Sequence, residues 1–129
     1  MNTARLSAAA RQERMDRLRR DRAAAQVLHV AYPGVRHLRL ELKFESATSN
    51  PPTLQAHELH PPARAFFEFP CPYADCDGQF DLTAAVKAAV ADPTHRSAGV
   101  LECPGQRVRN LAAKQPCQLQ LHYLIIAAY

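Results

Sequence analysis

No run of about 18 consecutive apolar residues, the length that crosses a bilayer, occurs in the 129-residue chain. The opening stretch, MNTARLSAAARQERMDRLRR, also lacks the apolar centre of a secretory signal. The expectation is a cytoplasmic protein with no membrane association, in which thiols stay reduced. Glycine is scarce, at four residues. No Gly-rich phosphate loop, nucleophile elbow or paired-carboxylate constellation is evident, so no enzyme is expected. Lysine is scarce as well: three Lys stand against thirteen Arg, with abundant Ala, a composition that points to a GC-rich bacterial genome. No internal repeat occurs, and 47% hydrophobic with 22% charged residues fits one modest domain.

Four cysteines are present, Cys71, Cys76, Cys103 and Cys117, and their placement depends on the elements around them. Residues 3 to 28 read as an Ala-rich helix without Gly or Pro, with Thr3 or Ser7 as candidate caps. Its apolar positions, including Met15, Leu18 and Leu28, make a thin stripe. The helix therefore docks by its C-terminal half or projects into solvent. Tyr32-Pro33-Gly34 is a turn signal. Val35 to Glu45 alternates, with Leu38, Leu40, Leu42 and Phe44 on one face and Arg39, Glu41, Lys43 and Glu45 on the other, as a half-buried strand does. Ser46 to Ala63, holding Pro51, Pro52, Pro61 and Pro62, reads as an extended surface loop. Ala65 to Pro70 reads as a strand, and Asp81 caps a helix that runs to about Ala91. Ser97 to Cys103 follows as a third strand, Gly105 to Pro116 as a mostly polar connection, and Gln118 to Ala127 as a fourth strand.

The expected fold is α+β: an N-terminal helix, then a small mixed sheet of about four strands with one main packed helix in the order β-β-α-β-β. Residues 1 to 28 form a basic helical arm, and 29 to 129 one domain with a Pro-rich loop at 46 to 63. A right-handed crossover between parallel strands would bring the ends at Cys71 and Cys103 together, with Cys76 in the loop before the helix and Cys117 opening an antiparallel last strand. Side-chain parity agrees. Phe67, Phe69 and Cys71 share a face, as do Gly99, Leu101 and Cys103, and Cys117, Leu119 and Leu121. A four-cysteine site at one sheet end is therefore expected.

Four thiolates bind Zn2+ tetrahedrally, and with every position taken by the protein the ion is structural. Pro72, Pro104 and Pro116 stiffen the chain beside three of the cysteines, while Gly78 and Gly105 permit sharp turns. Free buried thiols, two disulfides and iron or an iron-sulfur cluster are the alternatives. The CP, CDG and CPG steps at Cys71, Cys76 and Cys103 resemble zinc-ribbon-like bacterial domains over Phe69 to Cys117, with the departure that no CXXC pair is present. The resemblance implies a metal-binding knuckle and no particular activity. HELH at His57 to His60 is not HEXXH, because its second histidine comes three residues after the first and Pro61 follows; a loop is expected there. His122 has the parity opposite to the cysteines, which points to a cross-strand or surface role. Asp75 and Asp77 are expected as solvated loop residues.

Charge is concentrated in the arm: seven Arg against three acids in residues 1 to 22 give +4, and the remaining nine basic and nine acidic residues cancel. The expected function is a zinc-stabilised interaction, adaptor or regulatory module whose partner is another protein or a second copy, with Phe66, Val100 and Leu124 on the available face. The alternative is a nucleic-acid-binding module using Arg11, Arg14, Arg17, Arg19, Arg20 and Arg22 against phosphates. The arm has no aromatic residue for base stacking.

Overall fold

A computed structural model describes residues 8–46, 49–108 and 114–129. Its centre is a four-stranded sheet in the order β2-β1-β8-β5, formed by β1 (His37–Ser46), β2 (Ser49–Leu59), β5 (Arg96–Glu102) and β8 (Gln120–Ala128). Two ribbons flank it: β3 (Glu68–Pro70) with β4 (Gln79–Asp81), and β6 (Gln106–Val108) with β7 (Lys114–Pro116). Helix α1 spans Ala8–Ala24, α2 Leu28–Ala31 and α3 Thr83–Ala91. Every pairing in the main sheet is antiparallel, so the expected mixed sheet with a parallel crossover is corrected.

The segment expected to be a Pro-rich loop is the other large correction. Residues 49–59 form the edge strand β2, paired with β1 from Leu38↔Leu59 to Phe44↔Thr53. An edge strand tolerates proline because one side of its backbone has no sheet partner. Pro51 and Pro52 fall where the register shifts between Phe44 and Ser46. The expected Ala65 to Pro70 strand shortens to β3, which pairs with β4 and lies outside the main sheet, and the 105–116 connection contains the β6–β7 ribbon.

Alternation in β1 decides the layering. Leu38, Leu40, Leu42 and Phe44 are all buried, together with Leu121 and Ile125 of β8 and with Ala85, Val86 and Ala89 of α3. The N-cap of this helix is Leu82, which corrects the expected Asp81 cap by one residue; the Asp81 carboxylate accepts from the Thr83 backbone N–H at 2.9 Å just ahead of it, and Asp92 is the C-cap. The outer sheet face carries ion pairs, Arg39 with Glu58 at 2.7 Å and Glu45 with His122 at 2.8 Å, the latter placing His122 on the surface face.

The expected helix over 3 to 28 is shorter. Thr3 and Ser7 lie outside the described residues, and the C-terminal part is drawn straight by pairing with 63–65. Leu28 N–H donates to Ala63 O and Ala65 N–H to Gln26 O, each at 2.8 Å. Backbone bonds to a neighbouring segment replace helical ones there, which overrides the propensity of an Ala-rich sequence. Helix α1 docks through Leu18, 2% exposed, whereas Met15 is 44% exposed. Leu18→Ala is expected to cost about 2 kcal/mol in denaturant titrations, and Met15→Asp within about 0.5 kcal/mol of zero, as for an exposed site.

Candidate metal centre

The four cysteines sit at the ends of two antiparallel strand pairs. Cys71 directly follows β3 and Cys76 lies ahead of β4; Cys103 directly follows β5 and Cys117 lies ahead of β8. In each pair one cysteine opens a Cys-x-Gly step and the other stands alone. The lone cysteine's backbone N–H donates to the glycine carbonyl of its own pair: Cys71 to Gly78 at 3.0 Å, Cys117 to Gly105 at 2.9 Å. The halves are joined by Asp77 N–H to Gln106 O at 3.2 Å and by Gln106 N–H to the Asp77 carboxylate at 2.7 Å.

Glycine is required at both steps because the two backbones touch. A Cβ on Gly78 would stand 2.5 Å from Cys103 Sγ and 2.8 Å from Gly105 N, and one on Gly105 would strike the Gly78 backbone. This approach brings all four sulfur atoms within 4.8 Å of one another, with every cysteine buried. Cys76 and Cys103 Sγ lie 3.6 Å apart, and Cys71 and Cys117 Sγ 3.9 Å. A disulfide needs about 2.05 Å, so the thiols are free. Tetrahedral ligation at about 2.3 Å places sulfurs about 3.8 Å apart, and the two measured separations fall on either side of that value.

The thiols do not share one acidity. The Cys71 thiol, foremost, stabilises the Cys103 thiolate; burial opposes it, and the Gly105 amide and the remaining thiols assist, so Cys103 is lowered to about 6. Cys71 is raised, first by its bond to Cys103 and then by burial. Burial pushes Cys76 up to about 12 and raises Cys117 as well. Gly78 N–H donates to Cys76 Sγ at 3.3 Å, a bond that favours sulfur as an anion.

Around the sulfurs, several polar groups brace the loops. Arg14 of α1 donates from Nη1 to the carbonyls of Cys76 at 2.8 Å and Gly78 at 3.3 Å. Arg107 pairs with Asp75 at 2.9 Å and lies 3.8 Å over the Tyr73 ring. The expectation of a solvated loop acid is corrected for Asp75, which is mostly buried in an ion pair, whereas Asp77 is exposed as expected and in addition ties the two halves together. Of the arm's other arginines, Arg19 pairs with Asp16 and Arg22 lies 5.3 Å over Phe66. Arg17 and Arg20 are exposed, and Arg11 is half-buried.

The roles of Arg14, Arg107 and Asp75 were not legible in the sequence, because each acts on a segment remote in the chain. The repeated Cys-x-Gly step at Cys76 and Cys103 was a readable sign that two similar turns meet. The chain matches no protein-family model, no curated protein and no solved structure.

Gly78→Ala and Gly105→Ala are expected to destabilise the protein by about 3 kcal/mol each, the upper range for forcing a methyl into packed space. Gly34→Ala, whose Cβ would stand 3.5 Å from the Tyr129 ring but whose φ is +91°, supplies the comparison: it strains the backbone without touching the sulfurs. Thermal unfolding and zinc content measured on the three variants separate backbone strain from damage to the cluster.

Proposed function

We propose that Cys71, Cys76, Cys103 and Cys117 hold one Zn2+ as a closed structural centre, and that the protein is a zinc-stabilised interaction module rather than an enzyme. The observation that carries the metal reading is the convergence of four buried sulfurs at separations that fit a thiolate tetrad. Iron is accommodated by the same donors; zinc is preferred because a closed tetrahedral set of four cysteines is the common structural zinc arrangement. With all four positions taken by sulfur, no site is left for substrate.

The energy scale supports a structural role. Structural zinc contributes about 10–16 kcal/mol in zinc-finger peptides, as much as the whole stability of a small domain, about 5–15 kcal/mol. The ion would fasten β3–β4 to the β5 and β8 ends and, through Arg14, fix α1 on the same loops. Binding requires every thiol to lose its proton. Metal binding therefore releases protons, so affinity rises with pH and acid releases the ion.

The interaction reading rests on the outer sheet face. Leu54 is 71% and Val100 53% exposed, and a groove of about 500 Å³ lies over Leu54, Ala56, His122 and Leu124. The surrounding charges pair with one another, leaving apolar side chains as what this face offers a protein. Phe66 is not part of this face, since it lies under Arg22 beside β3. Nucleic-acid binding is the second reading, favoured by exposed Arg17 and Arg20 and weakened by Arg14, which is engaged by carbonyls of the cysteine loop, and by Arg22, which lies over Phe66.

One zinc per chain with four protected thiols is the expected analysis. Any single Cys→Ser change should remove most of the zinc and lower the unfolding midpoint as much as chelation does. Four freely reactive thiols and no bound metal would contradict the centre. Leu54→Asp with Val100→Asp should leave zinc content and unfolding unchanged while abolishing association with a protein partner or a second copy. Retention on nucleic acid at about 0.15 M salt, lost in Arg17→Glu with Arg20→Glu, would instead establish the second reading.

A further inference from the structure

The far end of the β1–β2 pair brings a second set of metal-ligating side chains together. The register Leu38↔Leu59 sets His37 against His60 across the pair, and Arg39 is opposite Glu58. His60 and Glu58 are two residues apart and so project from the same face. The rings of His37 and His60 stack with centroids 4.6 Å apart at 27°. One ligand atom from each of His37, Glu58 and His60 lies within 4.8 Å of the other two.

We propose that His37, Glu58 and His60 form a second, solvent-open site for a divalent transition metal that favours imidazole, such as Zn2+ or Ni2+. The donor set is two imidazoles and a carboxylate, which suits these ions and not Ca2+ or Mg2+. His37 opens β1 and Glu58 lies in β2, with His60 directly after its end, so the strands hold two of the three backbones and side-chain rotation brings the donors together. Donors that share an ion at about 2.1 Å lie about 3.4 Å apart. Glu58 and His60 are exposed and His37 is half-buried, so χ rotations can close the remaining gap.

Charge and orientation favour the same conclusion. His37 Nε2 lies 3.8 Å from Glu58 Oε1, the oxygen that also accepts from Arg39 at 2.7 Å, so Arg39 orients the carboxylate beside the imidazole. Glu41 lies 3.8 Å from Arg39 Nε, so the group of Glu58, Glu41 and Arg39 carries a net charge of −1. This site differs in kind from the thiol tetrad. Three protein ligands leave coordination positions open to water or to a donor from another molecule, whereas four buried sulfurs leave none.

The HELH stretch therefore has a metal chemistry other than the helical one its spelling invites. His57 to Leu59 lie in β2 and His60 directly follows it, so His57 and Glu58 point to opposite faces. His57 packs against Phe69 with ring centroids 4.6 Å apart and planes tilted by 41°, and bonds Gln55 at 3.0 Å. Burial, and secondarily Arg22, lowers its pKa. The stretch contributes Glu58 and His60, and His37 supplies the third ligand from the neighbouring strand.

The test is a titration of the full-length, zinc-loaded protein with Ni2+ alone, followed by imidazole proton–nitrogen correlation NMR. One ion per chain is expected, with the His37 and His60 signals broadened before those of His29, His57, His95 and His122. His37→Ala and His60→Ala should each weaken Ni2+ binding by about tenfold or more, and Glu58→Gln by a smaller factor, with backbone amide spectra and zinc content unchanged. No saturable binding below about 1 mM, a weak affinity of about 4 kcal/mol, would overturn the proposal. Uniform broadening of all six histidines, or undiminished affinity in both alanine variants, would do so equally.

Discussion

The contact between the Gly78 and Gly105 backbones is the constraint on which the arrangement depends. It lets two strand ends, each carrying a Cys-x-Gly turn, approach closely enough for their sulfurs to meet. Each turn is closed by an N–H from the lone cysteine of its own pair, Cys71 on Gly78 and Cys117 on Gly105, so backbone hydrogen bonds set the direction of all four thiols. Side chains farther out then have fixed surfaces to pack on. Arg107, Tyr73 and Asp75 cover one side, and Arg14 reaches the carbonyls of Cys76 and Gly78 from α1.

That dependence changes how the basic helix is understood. Its net charge suggests a nucleic-acid arm, yet the arginines that are fixed in place serve the fold. Arg14 binds carbonyl groups that four-cysteine packing holds in position, and Arg22 lies on Phe66. A helix with one buried apolar residue, Leu18, has little hydrophobic hold of its own. Two charge-assisted bonds from Arg14, each worth about 1.5–3 kcal/mol, are therefore a large part of what places it, and they link the helix to the state of the cysteine loops.

The sequence disclosed periodic elements and local chemistry far better than long-range pairing. The alternation from Leu38 to Phe44, the helix after Asp81 and the shared parity of Cys103 with Leu101 and of Cys117 with Leu119 were all legible, since each is a property of neighbours in the chain. The parity argument survived although the parallel crossover did not, because parity follows from the pleat of each strand and is indifferent to which strands pair. β2 was hidden by its prolines, which forbid a central strand and permit an edge one. The break after Ala24 was hidden because its cause is the segment 63–65, nearly forty residues away. Glycines at 78 and 105 announced turns, but nothing local announced that the turns touch.

Zinc-edge X-ray absorption of the purified protein, prepared without added metal, tests the four-sulfur centre most directly. The account predicts four sulfur neighbours at about 2.3 Å and no oxygen or nitrogen in the first shell. In Cys117→Ser most of the zinc signal is expected to be lost. A first shell of nitrogen and oxygen in the unaltered protein, or an absence of zinc with all four thiols reduced, would contradict it.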